Sequence, residues 1–177
     1  KGNLRLSSRA GRGLTLEIRL PASLTTLHGL LVRLGSYTIA VSTYGITDIH
    51  YVTRAQLRAV SAGTVYLNAG QVYPLDHVET LLEAPAAPDD RDWFPALMVG
   101  TERGVRAVAV QEIFGSQEIV LKDTGAYVEK PAGILGVTVL GDGSIAPVID
   151  LPQLLRGDTA PARADARSLT RAGRAAS

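Results

Sequence analysis

Histidine and aspartate are the side chains of this chain to examine first for chemistry, because both can bind metals or move protons. The histidines lie more than 20 residues apart, which is not the close spacing of paired zinc ligands. They are His28, His50 and His77. A second group, the aspartates of one loop, consists of Asp89, Asp90 and Asp92. This loop lacks the alternating ligands and terminal glutamate of a calcium loop, so we predict no metal site.

Glycine pairs could also mark a phosphate-binding loop. Gly11 and Gly13 flank an arginine, and Gly141 and Gly143 flank an aspartate. A phosphate loop needs more glycines and a following helix whose N-terminus faces the anion. Both pairs instead lie between strand-like runs, so we interpret them as hairpin turns. With no cysteine and no assignable serine–histidine–aspartate set, the sequence predicts no catalytic or cofactor-binding residue.

The composition argues against several classes of partner. The formal net charge is +1 and only 5% of the residues are aromatic, so nucleic acid is not expected as a partner. We interpret the adjacent Trp93 and Phe94 as core or interdomain packing. No apolar run approaches the ~20 residues that cross a bilayer, so no direct membrane insertion is expected. The absence of cysteine fits a reducing compartment.

Short apolar runs separated by glycine turns predict an all-β fold. Apolar and polar residues alternate in residues 4–8 and 14–20, which predicts a hairpin that ends at Pro21. Short helices are predicted at residues 76–82, with Asp76 as candidate N-cap, and at 151–155. Further strands are predicted at residues 30–34, 37–42, 46–52, 65–67, 72–74, 96–101, 105–114, 134–140 and 145–149.

The strands fall into two halves joined by a proline- and aspartate-rich loop at residues 84–92. Residues 72–82 and 145–155 both place a proline two positions after a β-branched residue, and both end in two leucines. This parallel suggests two similar small barrels, but the identity is too low to establish a repeat by itself. Beyond residue 156 the one large apolar residue is Leu169, which predicts a flexible linker or tail at 157–177.

Residues 110–122 of the second half read VQEIFGSQEIVLK. This segment resembles the pattern VDEVLGQQEVVVK in the regulatory domain of CheA-type chemotaxis histidine kinases. Residues 133–143, GILGVTVLGDG, resemble its GIxGATILGDG, and residues 145–150, IAPVID, resemble its VALILD.

The first half carries the same resemblance. Residues 41–49, VSTYGITDI, resemble the segment IPLxxVxEV of the family's first barrel, and residues 68–75, NAGQVYPL, resemble its RGxxxPL. Residues 11–21, GRGLTLEIRLP, resemble GxGTxFxLxLP, the last strand of the ATPase domain in that family. The likeness extends over residues 2–156.

This resemblance implies an all-β, CheW-like fold of two intertwined, SH3-like five-stranded barrels with short helices. It also implies a division of the chain into three parts. These are the terminal β-hairpin of a preceding histidine-kinase ATPase domain at 1–21, a CheW-like regulatory domain at 22–156 with barrels at about 22–84 and 94–156, and the tail at 157–177.

The function implied by the resemblance is protein interaction and regulation. The domain would dock a CheW adaptor and the cytoplasmic tip of a chemoreceptor, and so control autophosphorylation of the parent kinase dimer in a two-component phosphorelay. It would work in the cytoplasm at receptor arrays. ATP and Mg would belong to the upstream ATPase domain, so this fragment would not be an enzyme although its parent would be a protein-histidine kinase. The family's docking segment maps onto Val41, Ile46, Asp48 and Ile49.

Several positions depart from the family pattern, and two other hypotheses stay open. Ser42 replaces the usual proline, Leu14 a threonine and Gln111 an aspartate, which suggests a divergent hybrid or twitching-motility branch. The first alternative is a free-standing CheW-like scaffold adaptor, although an adaptor has no ATPase strand before its first barrel. The second is a β-barrel enzyme or nucleic-acid binder, which predicts a deep polar pocket or a basic groove.

Overall fold

The computed structural model of this chain describes residues 3–9, 11, 13–19, 25–85, 90–122 and 131–156. They form two large sheets, a separate hairpin and two short helices, which confirms the predicted all-β class. The predicted tail at 157–177 lies outside the described residues, as do Pro21 and Asp89.

The separate hairpin pairs β1 (Asn3–Arg9) with β2 (Gly13–Arg19), as the alternation predicts. The other elements follow in two series. The first is β3 (Thr25–Leu34), β4 (Tyr37–Ser42), β5 (Ile46–Thr53), a 3-10 turn (Arg54–Gln56), β6 (Leu57–Val60), β7 (Gly63–Asn68), β8 (Gln71–His77) and α1 (Val78–Leu81). The second is β9 (Trp93–Thr101), β10 (Gly104–Ala109), β11 (Ile113–Leu121), β12 (Ile134–Val139), β13 (Ile145–Ile149) and α2 (Leu151–Arg156).

Each large sheet takes strands from both series. The six-stranded sheet has the order β5-β9-β10-β8-β7-β6, and the five-stranded sheet has the order β11-β3-β4-β13-β12. The β3–β4 hairpin therefore lies among strands of the second series, and the β9–β10 hairpin lies among strands of the first. Because of this exchange, residues 22–84 and 94–156 do not correspond one-to-one with the two sheets.

Within the described residues, neither sheet closes into a complete barrel. The two edges of the five-stranded sheet nevertheless meet at one point, where Lys122 and Val137 form an antiparallel bridge. The backbone N–H of Lys122 donates to the carbonyl of Val137 at 2.8 Å, and the reverse bond is 3.1 Å long. This bridge curls the sheet towards the barrel shape that the resemblance implies.

The two sheets share one pairing plan. Ala107 pairs with Leu75 in the parallel β10–β8 ladder, and Ala40 pairs with Val148 in the parallel β4–β13 ladder. Leu75 and Val148 are matched in the sequence parallel between residues 72–82 and 145–155. The register thus confirms that these two segments occupy equivalent places.

A shared hydrophobic core joins the two sheets. Its buried residues come from both sheets and both helices, so neither sheet could bury its inner face alone. Full burial of an aliphatic side chain contributes about 1.5–3 kcal/mol, which makes this cluster a major source of stability. The cluster contains Leu30, Val32, Ile39, Val41, Val78, Leu97, Val99, Val108, Val110, Ile149, Leu151 and Leu155.

Two sequence predictions about element boundaries are wrong. Strand β8 continues to His77, so α1 begins at Val78 and Asp76 is not its N-cap. The Asp76 carboxylate instead accepts two hydrogen bonds from Arg106, a stronger interaction than a single cap. The predicted strand at 105–114 is interrupted at residues 110–112, where the chain crosses from the six-stranded to the five-stranded sheet.

Candidate docking surface

The four residues of the predicted docking segment lie in different environments. Val41 has no exposed surface and belongs to the shared core, so its side chain cannot contact a partner in this conformation. Ile46 and Ile49 are half-buried and pack against the same core. Asp48 is open to solvent, with 67% of its side chain exposed. Asp48 is therefore the one residue of the four that a partner could contact fully.

A β-bulge explains this arrangement. Ile46 pairs with Val99 and Asp48 pairs with Met98, which leaves Thr47 as an extra residue in β5. The Thr47 hydroxyl donates to the Met98 carbonyl at 3.1 Å. In a regular strand, residues three apart point to opposite faces, but a bulge re-aims the side chains. Ile46 and Ile49 can thus both contact the core while Asp48 points outwards.

The Asp48 carboxylate is held by two neighbours. One oxygen accepts the backbone N–H of Ile49 at 2.7 Å, and the other lies 3.2 Å from Nε2 of His50. The Ile49 N–H, and then the His50 hydrogen bond, lower the pKa of Asp48 below the ordinary 3.8. The surface therefore presents a fixed negative charge at neutral pH.

His50 links this exposed charge to the interior. Its Nδ1 lies 3.2 Å from the hydroxyl of Tyr66, and the two rings meet edge-on at 5.8 Å. Tyr66 is buried and stacks on Tyr73, and burial raises the pKa of its hydroxyl. A neutral His50 that donates from Nε2 to Asp48 and accepts at Nδ1 from Tyr66 satisfies all three groups.

Three exposed aromatic residues flank the segment, and the sequence analysis did not assign them to it. Tyr44 precedes β5, and Tyr51 lies near its end. The ring of Tyr51 packs edge-on against Trp93 at 5.4 Å, and the Arg91 guanidinium lies 5.6 Å from the Trp93 ring centre. Trp93 is 45% exposed, so it is a surface residue, whereas its neighbour Phe94 packs against the core of the six-stranded sheet.

Strand β5 also lies at one edge of the six-stranded sheet. Among the described residues its ladder partner is β9 alone. An edge strand offers unpaired backbone groups to another chain, and exposed aromatic side chains are typical of protein contact surfaces. The edge of β5 thus combines a fixed carboxylate, aromatic side chains and an open backbone edge.

The remaining chemical candidates do not converge in the described part of the chain. No group of three or more histidine, aspartate or glutamate residues there is placed to hold a metal ion. His28 lies exposed on β3, and His77 ends β8. The turn between β12 and β13 contains Asp142, whose carboxylate accepts from the Ser144 backbone and hydroxyl, as a tight turn requires. No described helix is long and apolar enough to span a bilayer.

The sequence of this chain is similar to a known domain family and to several chemotaxis proteins. Residues 28–159 match the family described as CheW-like domain. The chain is 27% identical over 154 residues to the chemotaxis protein CheA of Bacillus subtilis, covering 87% of this chain and 23% of that protein. It is 23% identical over 154 residues to the sensor histidine kinase CheAY of Helicobacter pylori, covering 87% of this chain and 19% of that protein. The chain therefore spans about a fifth of the length of these relatives.

A solved structure shares the fold. The scaffolding protein TtCheW from Thermoanaerobacter tengcongensis superposes with a TM-score of 0.60 at 9% sequence identity. The match covers 73% of this chain and 92% of that one. At this identity the likeness concerns the arrangement of strands alone.

Proposed function

The chain belongs to the CheW-like domain family, and from this membership we propose that it is the regulatory, protein-docking domain of a CheA-type histidine kinase. Its partners would be a CheW-type adaptor and the cytoplasmic tip of a chemoreceptor. The observation that carries the proposal is the edge of β5, where Asp48 is exposed and held in place and where Tyr51 packs on Trp93 farther along the strand. Similarity to CheA proteins over most of the chain supports the same assignment.

The proposed mechanism is a population shift rather than a chemical step. A partner that binds one arrangement of the domain better than another shifts the kinase towards the corresponding state. Strand β5 pairs with β9, and its residues Ile46 and Ile49 pack on the core that both sheets share. A partner seated on this edge would therefore act on both sheets together.

The isolated hairpin favours the kinase over a free-standing scaffold adaptor. Leu6 lies opposite Leu16, with Leu14 on the same side of β2, and all three leucines are exposed. A two-stranded hairpin alone is marginally stable in water, so an apolar face of this kind needs cover. We propose that residues 1–21 complete a preceding ATPase domain, which would bind ATP and Mg. The tail at 157–177 would then be a linker.

The remaining features of the proposal follow from the same assignment. The parent chain would be a protein-histidine kinase that starts a phosphorelay, and this segment would regulate the kinase without catalysing a reaction. Its location would be cytoplasmic, at receptor arrays. A hybrid or twitching-motility kinase would be consistent with Ser42, Leu14 and Gln111, which depart from the family pattern.

Calorimetric titration of the 177-residue chain tests the proposal. The titrants are the CheW-type adaptor and the receptor tip from the same organism, with ATP as a parallel ligand. We expect the adaptor to bind with micromolar affinity or better, about −8 kcal/mol, and ATP to give no heat of binding. ATP binding without adaptor binding would contradict the proposal. Failure of both adaptor and receptor tip to bind would also contradict it.

A further inference from the structure

A second candidate surface lies where β8 and β10 begin, beside the β9–β10 turn. It is a shallow open cavity of ≈ 510 Å³. Its apolar wall consists of Val105, which is exposed, and Tyr73, which is half-buried and lies on the same face of the sheet. Strand β9 separates this cavity from β5, so it is distinct from the docking surface around Asp48. The cavity is lined by Gln71, Val72, Tyr73, Pro74, Arg103, Gly104, Val105 and Arg106.

The two arginines of the cavity differ in whether an acidic side chain neutralises their charge. Arg106 donates from Nε and Nη2 to the two oxygens of Asp76, at 2.9 and 2.8 Å, so Asp76 neutralises its charge. Arg103 is exposed in the turn, where its backbone N–H donates to the Thr101 hydroxyl at 3.3 Å. Within the described part of the chain, the Arg103 guanidinium makes no hydrogen bond or ion pair. Among the described residues no acidic side chain lines the cavity, so the charge of Arg103 is not neutralised there.

The shared plan of the two sheets shows that the fold does not require an ion pair here. By register, Asp76 is equivalent to Ile149, because each follows the matched residues Leu75 and Val148. Arg106 is likewise equivalent to Ile39, which precedes Ala40 as Arg106 precedes Ala107. In the five-stranded sheet these positions are two isoleucines that are 1% exposed.

An apolar pair thus fills the equivalent positions of the other sheet. A partly buried ion pair is seldom more stable than a well-packed apolar pair of similar volume. Asp76 and Arg106, with 20% and 25% of their side chains exposed, therefore mark a local departure from apolar packing. Arg106 lines the cavity, so this departure adds a polar side chain to its lining.

We propose that this cavity binds a short segment of a partner protein in which an acidic side chain is flanked by an aliphatic residue. The carboxylate would pair with Arg103, and the aliphatic side chain would lie on Val105 and Tyr73, which share a face of the sheet. A charge-assisted bond to arginine supplies specificity, and the apolar wall supplies contact area that a free anion could not use. This inference does not depend on the proposed adaptor-binding role of Asp48.

Selection from a random heptapeptide library displayed on phage tests this proposal with the 177-residue chain as bait. We expect enrichment of peptides that carry aspartate or glutamate beside an aliphatic residue. The same selection on Arg103→Glu should lose this enrichment, because the carboxylate would then face a negative charge. Lys122→Glu, an exposed charge reversal on the five-stranded sheet, is the matched control and should select the same peptides as the unchanged chain.

The enriched peptide is then titrated against the ¹⁵N-labelled chain, beside an analogue in which its acidic residue is replaced by the corresponding amide. The expected result is a saturable shift of the Gly104 and Val105 amides, with affinity at least about tenfold weaker for the amide analogue and for Arg103→Glu. Three results would overturn the proposal. They are the absence of acidic–aliphatic enrichment, equal selection by Arg103→Glu, and amide shifts confined to residues outside the cavity. Thermal melting of each variant verifies that the fold is retained.

Discussion

Arg106 binds Asp76 with two parallel hydrogen bonds, at 2.9 and 2.8 Å, across the parallel strands β10 and β8. The β10–β8 ladder has three paired positions, so this side-chain bridge reinforces a short contact. The ladder joins the β9–β10 hairpin, which belongs to the second series, to strand β8 of the first series. The ion pair thus fixes the register at a place where few backbone bonds do so.

Replacing Asp76 and Arg106 together should disturb stability less than replacing one of them. Asp76→Ile or Arg106→Ile alone leaves a partly buried charge without its partner, and we expect the free energy of unfolding to fall by about 2–3 kcal/mol. The double variant copies Ile149 and Ile39 of the other sheet. It should unfold within about 1 kcal/mol of the unchanged chain. Urea denaturation measures all three, and a double variant as unstable as either single one would contradict this account.

Charge reversal at Asp48 should weaken adaptor binding without unfolding the domain. The side chain is exposed, so Asp48→Arg should leave the melting temperature unchanged within about 2 °C. The calorimetric dissociation constant for the adaptor should rise at least about tenfold, because a repulsive charge would replace a fixed attractive one. Glu118→Arg, on the edge strand of the other sheet, is the control and should bind normally. A sharp loss of melting temperature in Asp48→Arg would instead identify Asp48 as structural.

The ionisation of Asp48 should respond only in part to loss of His50. The Ile49 N–H is the larger cause of the lowered pKa and remains in His50→Leu, so the pKa should rise but stay below 3.8. Because the folded pKa is depressed, the carboxylate favours the folded state above the unfolded pKa of about 3.9, and this contribution is lost as pH falls through the folded value. NMR titration of the carboxyl carbons measures the shift. Asp142, whose pKa is lowered by Ser144, is the internal control and should not move.

A methyl group at Gly136 should disrupt the point where the edges of the five-stranded sheet meet. A Cβ there would lie 2.6 Å from the carbonyl oxygen of Lys122, which is backbone and cannot move aside. Since Lys122 forms the bridge to Val137, Gly136→Ala should reduce the free energy of unfolding by about 2–3 kcal/mol. Gly141→Ala is the control, because a Cβ at Gly141 meets nothing within 4 Å. Equal stability of the two variants in urea would show that the bridge can shift freely.

Dividing the chain between its halves should give fragments that fold only together. Residues 1–85 contain β3–β4, which belongs to the five-stranded sheet, and residues 90–177 contain β9–β10, which belongs to the six-stranded sheet. Each fragment alone lacks the central hairpin of its own sheet. We expect poorly dispersed NMR spectra from the separate fragments and a native-like spectrum from their equimolar mixture. A well-dispersed spectrum from either fragment alone would contradict the exchange as a requirement for folding.

Local patterns predicted much of this fold. The alternation in β2, the turn around Asp142 and the matched segments before Leu75 and Val148 are all properties of neighbouring residues, so the sequence reveals them directly. The predicted boundary between β8 and α1 was wrong. Asp76 does not cap the helix, because its carboxylate accepts hydrogen bonds from Arg106, which lies 30 positions away. Helix-capping patterns carry no information about such distant partners.

The docking surface was predicted less completely. Val41 and Asp48 lie on matching family positions, yet only burial distinguishes the core residue from the exposed one. The bulge at Thr47 changes which side chains share a face of the sheet. The residue types around Thr47 do not predict a bulge. Trp93 is apolar enough to suggest a core position, and its exposure follows from its place at the start of β9. Alternation does not specify which strands pair, so the exchange of hairpins cannot be derived from it; the family resemblance, which implies two intertwined barrels, predicted the exchange.

The exchanged hairpins also determine how this domain can evolve. Ile119 of β11 lies against Gly29 of β3, so closely that its Cδ1 would clash with a Cβ on Gly29. A substitution in the first half is therefore accepted or rejected according to residues of the second half. The two halves share one pairing plan, yet where their strands pair each must change in step with the other. They therefore form a single unit of selection.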